Sequence, residues 1–438
     1  MRIKTTFLAV VLVTTLSSGV AMAATPRPLP NPDRAAVTPR MLNKSAVISA
    51  SQVCPAMRRL ASLGNSAPGL RVKNLASGET VCSLHSRSPR TLASNTKIFT
   101  TSTTLGRLGA DHRYRTRVFA SGEITGKGVL KGNLYLKGGG DPTFSQRRVL
   151  AAYGGTGARL EKLATKVEKA GIKRVTGRLI GDDSVFDHLK GISDSGYGTS
   201  PYVGPLSGLS VNFGYTSASF NHFSSDPAKL GTKIMARELR QRGIHVKKDI
   251  ALKITPKRAI VGGLIARQVS PDMASMARMT NKDSNNFFAE ILLKNLGANV
   301  RGSGTTHAGT TVVERYAHKL GSDIHQVDGS GLSGANRSSP ADVVKMLAGV
   351  YQEPFRKDFV KSLAIAGRDG TLADRMRGTA AQDNCHGKTG TITGVSALSG
   401  YCLNGKHKYA FSILMNGVSN LDSAHRGQDK IAALIARL

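Results

Sequence analysis

The residues that decide the fold are Ala93-Ser94-Asn95-Thr96-Lys97-Ile98-Phe99-Thr100, which place a serine three positions before a lysine. The spacing of apolar residues in and after this stretch predicts a helix that ends at a glycine: Ile98, Leu105, Leu108 and Gly109. Because residues three apart lie on one face of a helix, we expect Lys97 to reach over the hydroxyl of Ser94.

The pair of Ser94 and Lys97 is a candidate for nucleophilic catalysis. A serine hydroxyl is a weak nucleophile, so it needs an adjacent base that accepts its proton. A lysine can be that base only where burial or a neighbouring cation lowers its pKa. The pair therefore predicts a closed, partly dry site with a second cation near Lys97. Taken alone, the spacing also fits a solvated serine beside a surface lysine.

The N-terminus has the pattern of a secretory signal peptide at residues 1–23. Arg2 and Lys4 precede an apolar run at residues 7–16, and Ala21-Met22-Ala23 is typical of a cleavage site. Cleavage after Ala23 would remove two of the 61 Lys and Arg residues. We therefore expect an exported protein, either periplasmic or extracellular and associated with the cell wall.

The chain is strongly basic, with a formal net charge of +33. On an exported protein such a charge favours anionic surroundings, for which cell-wall polymers and lipid headgroups are the candidates. Solubility alone is the other explanation. A nucleic-acid partner is disfavoured, because the cations are scattered, Trp is absent and no nucleic-acid-binding motif occurs. No metal and no cofactor are expected, and no internal run is long enough for a transmembrane helix.

The remaining chain divides into a tether, a catalytic unit and an insertion. Residues 24–48 are rich in Pro and Arg and are predicted to form an extended tether. A strand pair before Ser94 and strand-like runs after residue 386 flank helical segments, so residues 49–114 and 265–438 are expected to share one sheet. Short strands and helices at 115–264 predict an inserted α+β domain.

Two further triplets strengthen the assignment of an active serine. Ser284-Asn285-Asn286 opens an amphipathic helical pattern, and Lys388-Thr389-Gly390 lies in a strand-like run. Ser-x-x-Lys, Ser-x-Asn and Lys-Thr-Gly, in this order, form the set shared by β-lactamases and penicillin-binding proteins. Ser210-Val211-Asn212 is a competing Ser-x-Asn triplet. We favour Ser284 because it opens a helix and because its separation from Lys388 in the sequence is long enough for an intervening helical lobe.

Longer segments resemble the D-alanyl-D-alanine carboxypeptidase/endopeptidase family, the class C, type-4 low-molecular-mass penicillin-binding proteins. The resemblance covers residues 50–438 and rests on segments 328–340, 367–372 and 387–398 besides the three motifs. It implies an α/β (α+β) fold of the β-lactamase/transpeptidase kind, with an antiparallel sheet and a helical lobe split by the inserted domain. It also implies a serine-type carboxypeptidase, and further a DD-endopeptidase, acting on peptidoglycan stem peptides that end in D-Ala-D-Ala, with β-lactams as covalent inhibitors.

The resemblance implies three catalytic residues. Ser94 would attack the carbonyl between the two terminal D-alanines, and Lys97 would take the serine proton. Ser284, held between Lys97 and Lys388, would relay a proton to the leaving amine. Lys388 would also be the second cation that keeps Lys97 neutral.

Four residues are implied to bind substrate. Asn286 would hydrogen-bond the substrate amide, and Lys388 and Thr389 would hold its terminal carboxylate. The backbone N–H groups of Thr391 and Ser94 would form the oxyanion hole, and the loops around Gly329 and Ser330 would shape the site. In this arrangement an extended peptide could add as a strand to the edge at 386–391.

Two other classes of protein compete with this interpretation. A class A β-lactamase shares the motifs but needs a Glu that activates water, and no Glu between Ser284 and Lys388 lies in a Glu-x-x-x-Asn loop. A non-catalytic wall-binding protein would have no need of every catalytic residue type, and all of them are present. The chain departs from the family at Leu92, where a Pro is common, and in a shorter middle section.

Four cysteines in an exported chain predict two disulfides, for which three pairings exist. If the strand at 386–391 turns through Thr393-Gly394 into the next strand, Cys385 and Cys402 are equidistant from the turn and face each other. Cys54 would then pair with Cys82. The alternative is four reduced, buried thiols.

The adjacent acidic residues Asp182 and Asp183 are the last candidate site. Acidic residues are scarce in this chain, and in the family the inserted domain flanks the active-site cleft. We expect the pair to bind a cationic group on the stem-peptide side chain through a charge-assisted hydrogen bond. The alternative is a turn in which one carboxylate caps backbone N–H groups and the other faces water.

Overall fold

The structure is a computed structural model that describes residues 49–405 and 407–438. The signal peptide predicted at 1–23 and the tether predicted at 24–48 lie outside the described residues. Within the described part of the chain, no helix combines the length and apolar character that crossing a membrane requires.

The N-terminal segment forms a helix, a strand pair and the helix that carries Lys97. Its elements are α1 (Ala50–Ala61), β1 (Ala67–Asn74), β2 (Thr80–Leu84), β3 (Arg90–Thr91) and α2 (Thr96–Leu108). A 3-10 turn at Ala93–Asn95 precedes α2, so Ser94 lies in this turn and Lys97 is the second residue of the helix. It ends at Gly109, as predicted.

The middle of the chain forms a sheet of its own. Its elements are β4 (Arg115–Ile124), β5 (Val129–Lys137), α3 (Arg147–Ala152), α4 (Leu160–Lys169), β6 (Arg174–Val175), β7 (Leu179–Asp182), α5 (Pro227–Gln241), β8 (His245–Val246), β9 (Ala251–Leu252), α6 (Lys257–Gly262) and β10 (Leu264–Val269). The strand order is β10-β4-β5-β6-β8, with β7 beside β5 and β9 beside β7. Because β10 pairs with β4 along its whole length, we place the end of the insertion after Val269 rather than at residue 264.

The C-terminal segment supplies the helical lobe and the remaining strands. Its elements are α7 (Met273–Lys282), α8 (Asn286–Arg301), α9 (Thr306–Lys319), β11 (Arg337–Ser338), α10 (Pro340–Gln352), α11 (Arg356–Ser362), β12 (Ala364–Ile365), β13 (Cys385–Ile392), β14 (Val395–Asn404), β15 (His407–Asn416) and α12 (Leu421–Ile435). The cap of α7 is Asp272, whose side chain accepts from the N–H of Ser275.

Strands from both ends of the chain form one antiparallel sheet, as expected. Its order is β12-β13-β14-β15-β1-β2, so the last long strand pairs with the first. Alternate residues of β14 enter different cores: Ala397 and Tyr401 face the helical lobe, while Leu398 and Cys402 face α1 and α12. This period of two places the sheet between two helical layers.

Helix α2 lies in the centre of the helical lobe, and its residues from Thr96 to Leu105 are all buried. It packs against α7, α8 and α9 around a core that includes Phe99 and Leu292. The insertion meets this lobe through an aromatic cluster in which Phe213 contacts Phe287 and Phe288 of α8. The first two turns of α8 therefore touch both units of the protein.

Both predicted disulfides are confirmed. Cys385 lies directly opposite Cys402 in the register of β13 and β14, and the two are bonded. The second bond joins Cys54 of α1 to Cys82 of β2. The first bond therefore begins three residues before Lys388 on the same strand.

Candidate active site

The turn that carries Ser94 is held against strand β13. The side-chain amide of Asn95 donates to the carbonyl of Lys388 at 3.0 Å. A Cβ atom at Gly390 would lie 3.1 Å from the nitrogen of Ser94, so a residue with a side chain would push the strand away. Ala93 adopts a left-handed φ of 46°, a strained conformation that is found mainly where a site requires it.

Lys97 is fully buried and makes three hydrogen bonds through Nζ. It donates to Ser94 Oγ at 3.0 Å, to Asn286 Oδ1 at 2.7 Å and to the carbonyl of Ser330 at 2.6 Å. Burial lowers the pKa of Lys97 to about 7, although Asp328 and Glu290 act in the opposite direction. A substantial fraction of this lysine is therefore neutral near pH 7.

The second serine–lysine pair joins Ser284 to Lys388. Lys388 is fully buried and its Nζ donates to Ser284 Oγ and to the carbonyl of Thr389, both at 2.9 Å. Burial, and then repulsion by Lys97, lower the pKa of Lys388 well below its usual value. We expected Lys388 to keep Lys97 neutral, but burial is the largest cause of the lowered pKa of Lys97.

Ser284 lies in the turn between α7 and α8 with a left-handed φ of 54°. This conformation directs its hydroxyl to Lys388, while the three hydrogen bonds of Lys97 go elsewhere. Ser284 was expected between the two lysines, but in this structure it is bonded to Lys388.

Asn286 is the first residue of α8 and has partners on both sides of its amide. Its oxygen accepts from Lys97, and its nitrogen donates to the carbonyl of Tyr202 at 3.0 Å. Tyr202 belongs to the insertion and was not predicted at the site. Because an amide nitrogen carries two hydrogens, one N–H of Asn286 remains for a substrate carbonyl.

The Lys-Thr-Gly strand brings one further hydroxyl into the site. Thr389 Oγ1 donates to Thr371 Oγ1 at 2.8 Å. Thr371 lies in the segment 367–372, which carried part of the family resemblance without any role being assigned to it. Thr391 lies two residues beyond Thr389 on β13, is exposed and is paired with Ser396 of β14.

The structure contradicts the substrate-binding role predicted for Asp182. Its side chain has no exposed surface and accepts from Lys137 Nζ at 2.7 Å, as well as from the backbone and hydroxyl of Thr255. Burial alone would raise the pKa of Asp182, but the hydrogen bonds from Lys137, Ser184 and Thr255 lower it to about 2. The neighbouring Asp183 is half-buried and accepts from Ser207 Oγ at 2.9 Å.

A partly exposed serine bonded to a buried lysine at the start of a helix, beside a strand with Lys-Thr-Gly, defines a serine acyl-transfer enzyme of the penicillin-recognising class. The family described as D-Ala-D-Ala carboxypeptidase 3 (S13) matches residues 52–225 and 219–438, and the chain belongs to it. The protein is accordingly a serine-type D-alanyl-D-alanine carboxypeptidase with the expected fold.

Known relatives cover most of the chain. A D-alanyl-D-alanine carboxypeptidase from Actinomadura sp. (strain R39) is 29% identical over 454 aligned positions, covering 86% of this chain and 82% of its own. The carboxypeptidase DacB of Mycolicibacterium smegmatis is 28% identical and covers 90% and 85%. The crystal structure of penicillin-binding protein 4 from Haemophilus influenzae has a TM-score of 0.70 at 21% identity, covering 89% and 98%.

Proposed function

We propose that the enzyme removes the terminal D-alanine of peptidoglycan stem peptides through an acyl-enzyme on Ser94, and that it also cuts cross-links between stem peptides. The observation that supports this most is the presence of two serine–lysine pairs in one buried site. Lys97 lies 3.0 Å from Ser94, and Lys388 lies 2.9 Å from Ser284.

In the acylation step, neutral Lys97 takes the proton of the Ser94 hydroxyl. The Ser94 oxygen then bonds to the carbonyl carbon between the two D-alanines, and the negative charge moves to the carbonyl oxygen. The backbone N–H groups of Ser94 and Thr391 are our candidates for the donors that stabilise this oxyanion. The base must be uncharged, so the pKa of about 7 for Lys97 suits the reaction near neutral pH.

The leaving group departs when the carbon–nitrogen bond breaks and the amine receives a proton. We assign this proton transfer to Ser284, whose hydroxyl accepts from Lys388: it gives its own hydrogen to the amine and receives in its place the proton that Lys97 took from Ser94, so Lys97 is neutral again. A water molecule then gives a proton to neutral Lys97 and bonds to the acyl carbon, the bond from this carbon to Ser94 Oγ breaks, and Ser94 regains its proton from Lys97. Where the leaving amine belongs to a second stem peptide, the same steps cut a cross-link.

Substrate recognition is assigned to the strand edge and to the hydroxyls beside it. Strand β12 pairs with His386 and Gly387, so the edge of β13 from Lys388 onward can take an extended peptide as an added strand. The terminal carboxylate would meet Lys388, Thr389 and Thr371, and Asn286 would donate to the amide carbonyl of the acyl part.

Labelling with a fluorescent penicillin tests the assignment of the nucleophile. We expect Ser94→Ala to abolish covalent labelling, since the acyl bond forms on this oxygen. Ser210→Ala is the matched control, because Ser210 belongs to the competing triplet, is buried in the insertion and should label like the wild type. Undiminished labelling of Ser94→Ala would contradict the assignment of Ser94 as the nucleophile.

Digestion of purified peptidoglycan tests the two activities separately. Mass analysis of the products should find free D-alanine from carboxypeptidase action and uncrosslinked stem peptides from endopeptidase action. Release of D-alanine with cross-linked dimers unchanged would restrict the proposal to the first activity.

We also propose that the enzyme acts outside the cytoplasmic membrane and binds an anionic cell-wall polymer through its insertion. The predicted signal peptide and the two disulfides support the location. Residues 115–269 carry 26 Lys and Arg against 11 Asp and Glu, which makes the insertion strongly basic.

The surface assigned to this polymer is an open cleft of about 550 Å³ beside α4, which we call the basic cleft. It is lined by the cations Arg147, Arg159, Lys162, Lys166, Lys169 and Arg242. Among the described residues, only Arg242 of this group forms an ion pair, with Glu238 and Glu168. Glu161 and Thr165 complete the lining, so cations outnumber carboxylates six to one in a concave surface, which suits a phosphate-bearing chain better than a flat bilayer.

Two variants with equal charge change test the basic cleft. The first replaces Arg147, Lys162 and Lys169 by Gln. The control replaces the exposed residues Lys247, Lys248 and Lys253 by Gln, which lie outside the cleft. We expect the cleft variant to bind inorganic polyphosphate about tenfold more weakly than the control. Equal weakening in both, or binding only to phosphatidylglycerol vesicles, would refute the polymer site.

A further inference from the structure

We propose that Glu290 is a positioning residue for Lys97, because it fixes the turn whose carbonyl holds the lysine amine against Ser94. This inference rests on the proposed role of Lys97 as the base. Glu290 was not singled out by any motif, and none of the catalytic steps above uses it.

Both carboxylate oxygens of Glu290 accept hydrogen bonds from the turn at Gly329 and Ser330. The N–H of Gly329 lies 3.0 Å from each carboxylate oxygen, and the N–H of Ser330 donates to Oε1 at 2.8 Å. Glu290 has no exposed surface, so these bonds are made in a dry interior. Removing them would leave two buried N–H groups without a partner, which is unfavourable.

The same turn delivers an acceptor to Lys97. The carbonyl of Ser330 accepts from Lys97 Nζ at 2.6 Å, the shortest of the three hydrogen bonds made by that amine. A lysine side chain has four rotatable bonds, so its amine is directed to Ser94 only if other acceptors fix it. Glu290 therefore acts on Lys97 through the backbone of one residue, Ser330.

Glu290 and Asn286 both lie on helix α8. The two residues are four apart and lie on one face of the helix. Asn286 contacts Lys97 directly, and Glu290 contacts it through Ser330. One rigid helix thus sets two of the three acceptors around the amine.

Asp328 and Thr100 anchor the turn from its other sides. Asp328 accepts from the N–H groups of Gly331 and Ser333, and Thr100 Oγ1 donates to the carbonyl of Gly329 at 2.9 Å. A Cβ atom at Gly331 would lie 1.9 Å from the carbonyl of Ala93, so the turn packs directly on the residue before Ser94. These contacts hold one side of the turn, and Glu290 holds the side that faces α8.

The charges around Lys97 give the proposal a measurable signature. They are Glu290 on α8, Asp328 in the loop after α9 and Lys388 on β13, with Asp283 facing Lys388. Burial and the neighbouring Asp328 raise the pKa of Glu290 to about 7, and in its ionised form Glu290 favours the protonated form of Lys97. Removing that charge should therefore lower the pKa of Lys97, which a purely structural residue would not do.

The experiment measures the pH dependence of penicillin acylation in Glu290→Gln. We expect the maximal acylation rate constant to fall about 10- to 100-fold, as expected for a displaced catalytic group. The rising limb of the profile should move to lower pH by about one unit. The KM for a D-Ala-D-Ala peptide should stay within about twofold, because Lys388 and Thr389 keep their positions.

Glu314→Gln is the matched control. Glu314 is a half-buried carboxylate of α9 that accepts from the N–H of Gln326, so it also fixes a backbone segment of the same lobe. Its substitution should leave the acylation profile in place. If Glu290→Gln is insoluble, Glu290→Asp serves instead: it keeps the charge, withdraws the carboxylate and should slow acylation with the limb unmoved.

Two results would overturn the inference. One is a Glu290→Gln enzyme whose profile has the wild-type midpoint and rate. The other is an acylation rate of Glu290→Gln that falls only as much as the amount of folded protein falls, together with a Glu290→Asp enzyme that is acylated at the wild-type rate. Failure of the wild type itself to be acylated would instead contradict the proposed function.

Discussion

Replacing Asp182 by Asn should destabilise the protein without changing which substrate it prefers. Asp182 is fully buried, paired with Lys137 and bonded to Thr255, and these contacts lower the pKa of its carboxyl from 3.8 to about 2. One pKa unit corresponds to about 1.4 kcal/mol, so the ionised carboxylate contributes roughly 2.5 kcal/mol at neutral pH.

The sign of the pH dependence follows from the lowered pKa. The stabilisation is fully present above the unfolded pKa near 4 and is lost as the pH falls through the folded value near 2. Urea unfolding should therefore find a gap of roughly 2.5 kcal/mol between wild type and Asp182→Asn at pH 7, and about half of it at pH 3. Asp183→Asn is the control and should lose about 1 kcal/mol, because Asp183 has one side-chain partner.

Kinetics complete the test of Asp182. Two stem-peptide substrates, one with a free side-chain amine and one acetylated there, should keep the same ratio of kcat/KM in wild type and Asp182→Asn. If Asp182→Asn has wild-type stability at pH 7 and loses kcat/KM only on the amine substrate, the structural role is refuted. Asp182 would then bind the cationic group of the substrate, as the sequence predicted.

Three further outcomes are expected. Acylation of the wild type by penicillin should rise with pH through about 7, because Lys97 must be neutral to accept a proton, and a flat rate between pH 5 and 9 would contradict this. Replacing Cys385 and Cys402 together by Ser should lower the unfolding free energy by about 2–4 kcal/mol in urea titrations, and an unchanged midpoint would argue against a stabilising bond. Thr371→Val should raise the KM for a D-Ala-D-Ala peptide several-fold with kcat nearly unchanged, since it removes the partner of Thr389 in ground-state binding.

The parts of the fold that could be predicted from the sequence are those set by local periodicity. The turn at Thr393-Gly394 fixes the register of β13 and β14, and that register alone brings Cys385 opposite Cys402. The pairing of β15 with β1 followed from strands at both ends of the chain, because a sheet edge needs a partner. We place the boundary after Val269 instead of at 264 because β10 pairs with β4, a strand that lies far away in the sequence.

The parts of the site that could not be predicted depend on contacts between distant segments. The sequence around Asp182 does not indicate that Lys137 and Thr255 are its partners. From sequence alone, a buried and paired carboxylate therefore cannot be distinguished from an exposed one. The same holds for Glu290, whose partners are backbone N–H groups about forty residues away and carry no side-chain signature. Motifs identify residues that touch substrate more readily than residues that hold other residues in place.

The choice between the two Ser-x-Asn triplets shows what local sequence can decide. Ser210 and Asn212 lie in the insertion, where the Asn212 amide is consumed by Gln146 in two hydrogen bonds and has no exposed surface. Ser284 instead ends a turn directly before a helix, so its hydroxyl and the Asn286 amide project from the helix N-terminus toward the two lysines. At the start of α8 the Ser284 and Asn286 side chains can contact Lys97 and Lys388, which come from other parts of the chain. The polar groups of Ser210 and Asn212 are bonded within the insertion, and only the triplet at Ser284 is followed by an amphipathic helix.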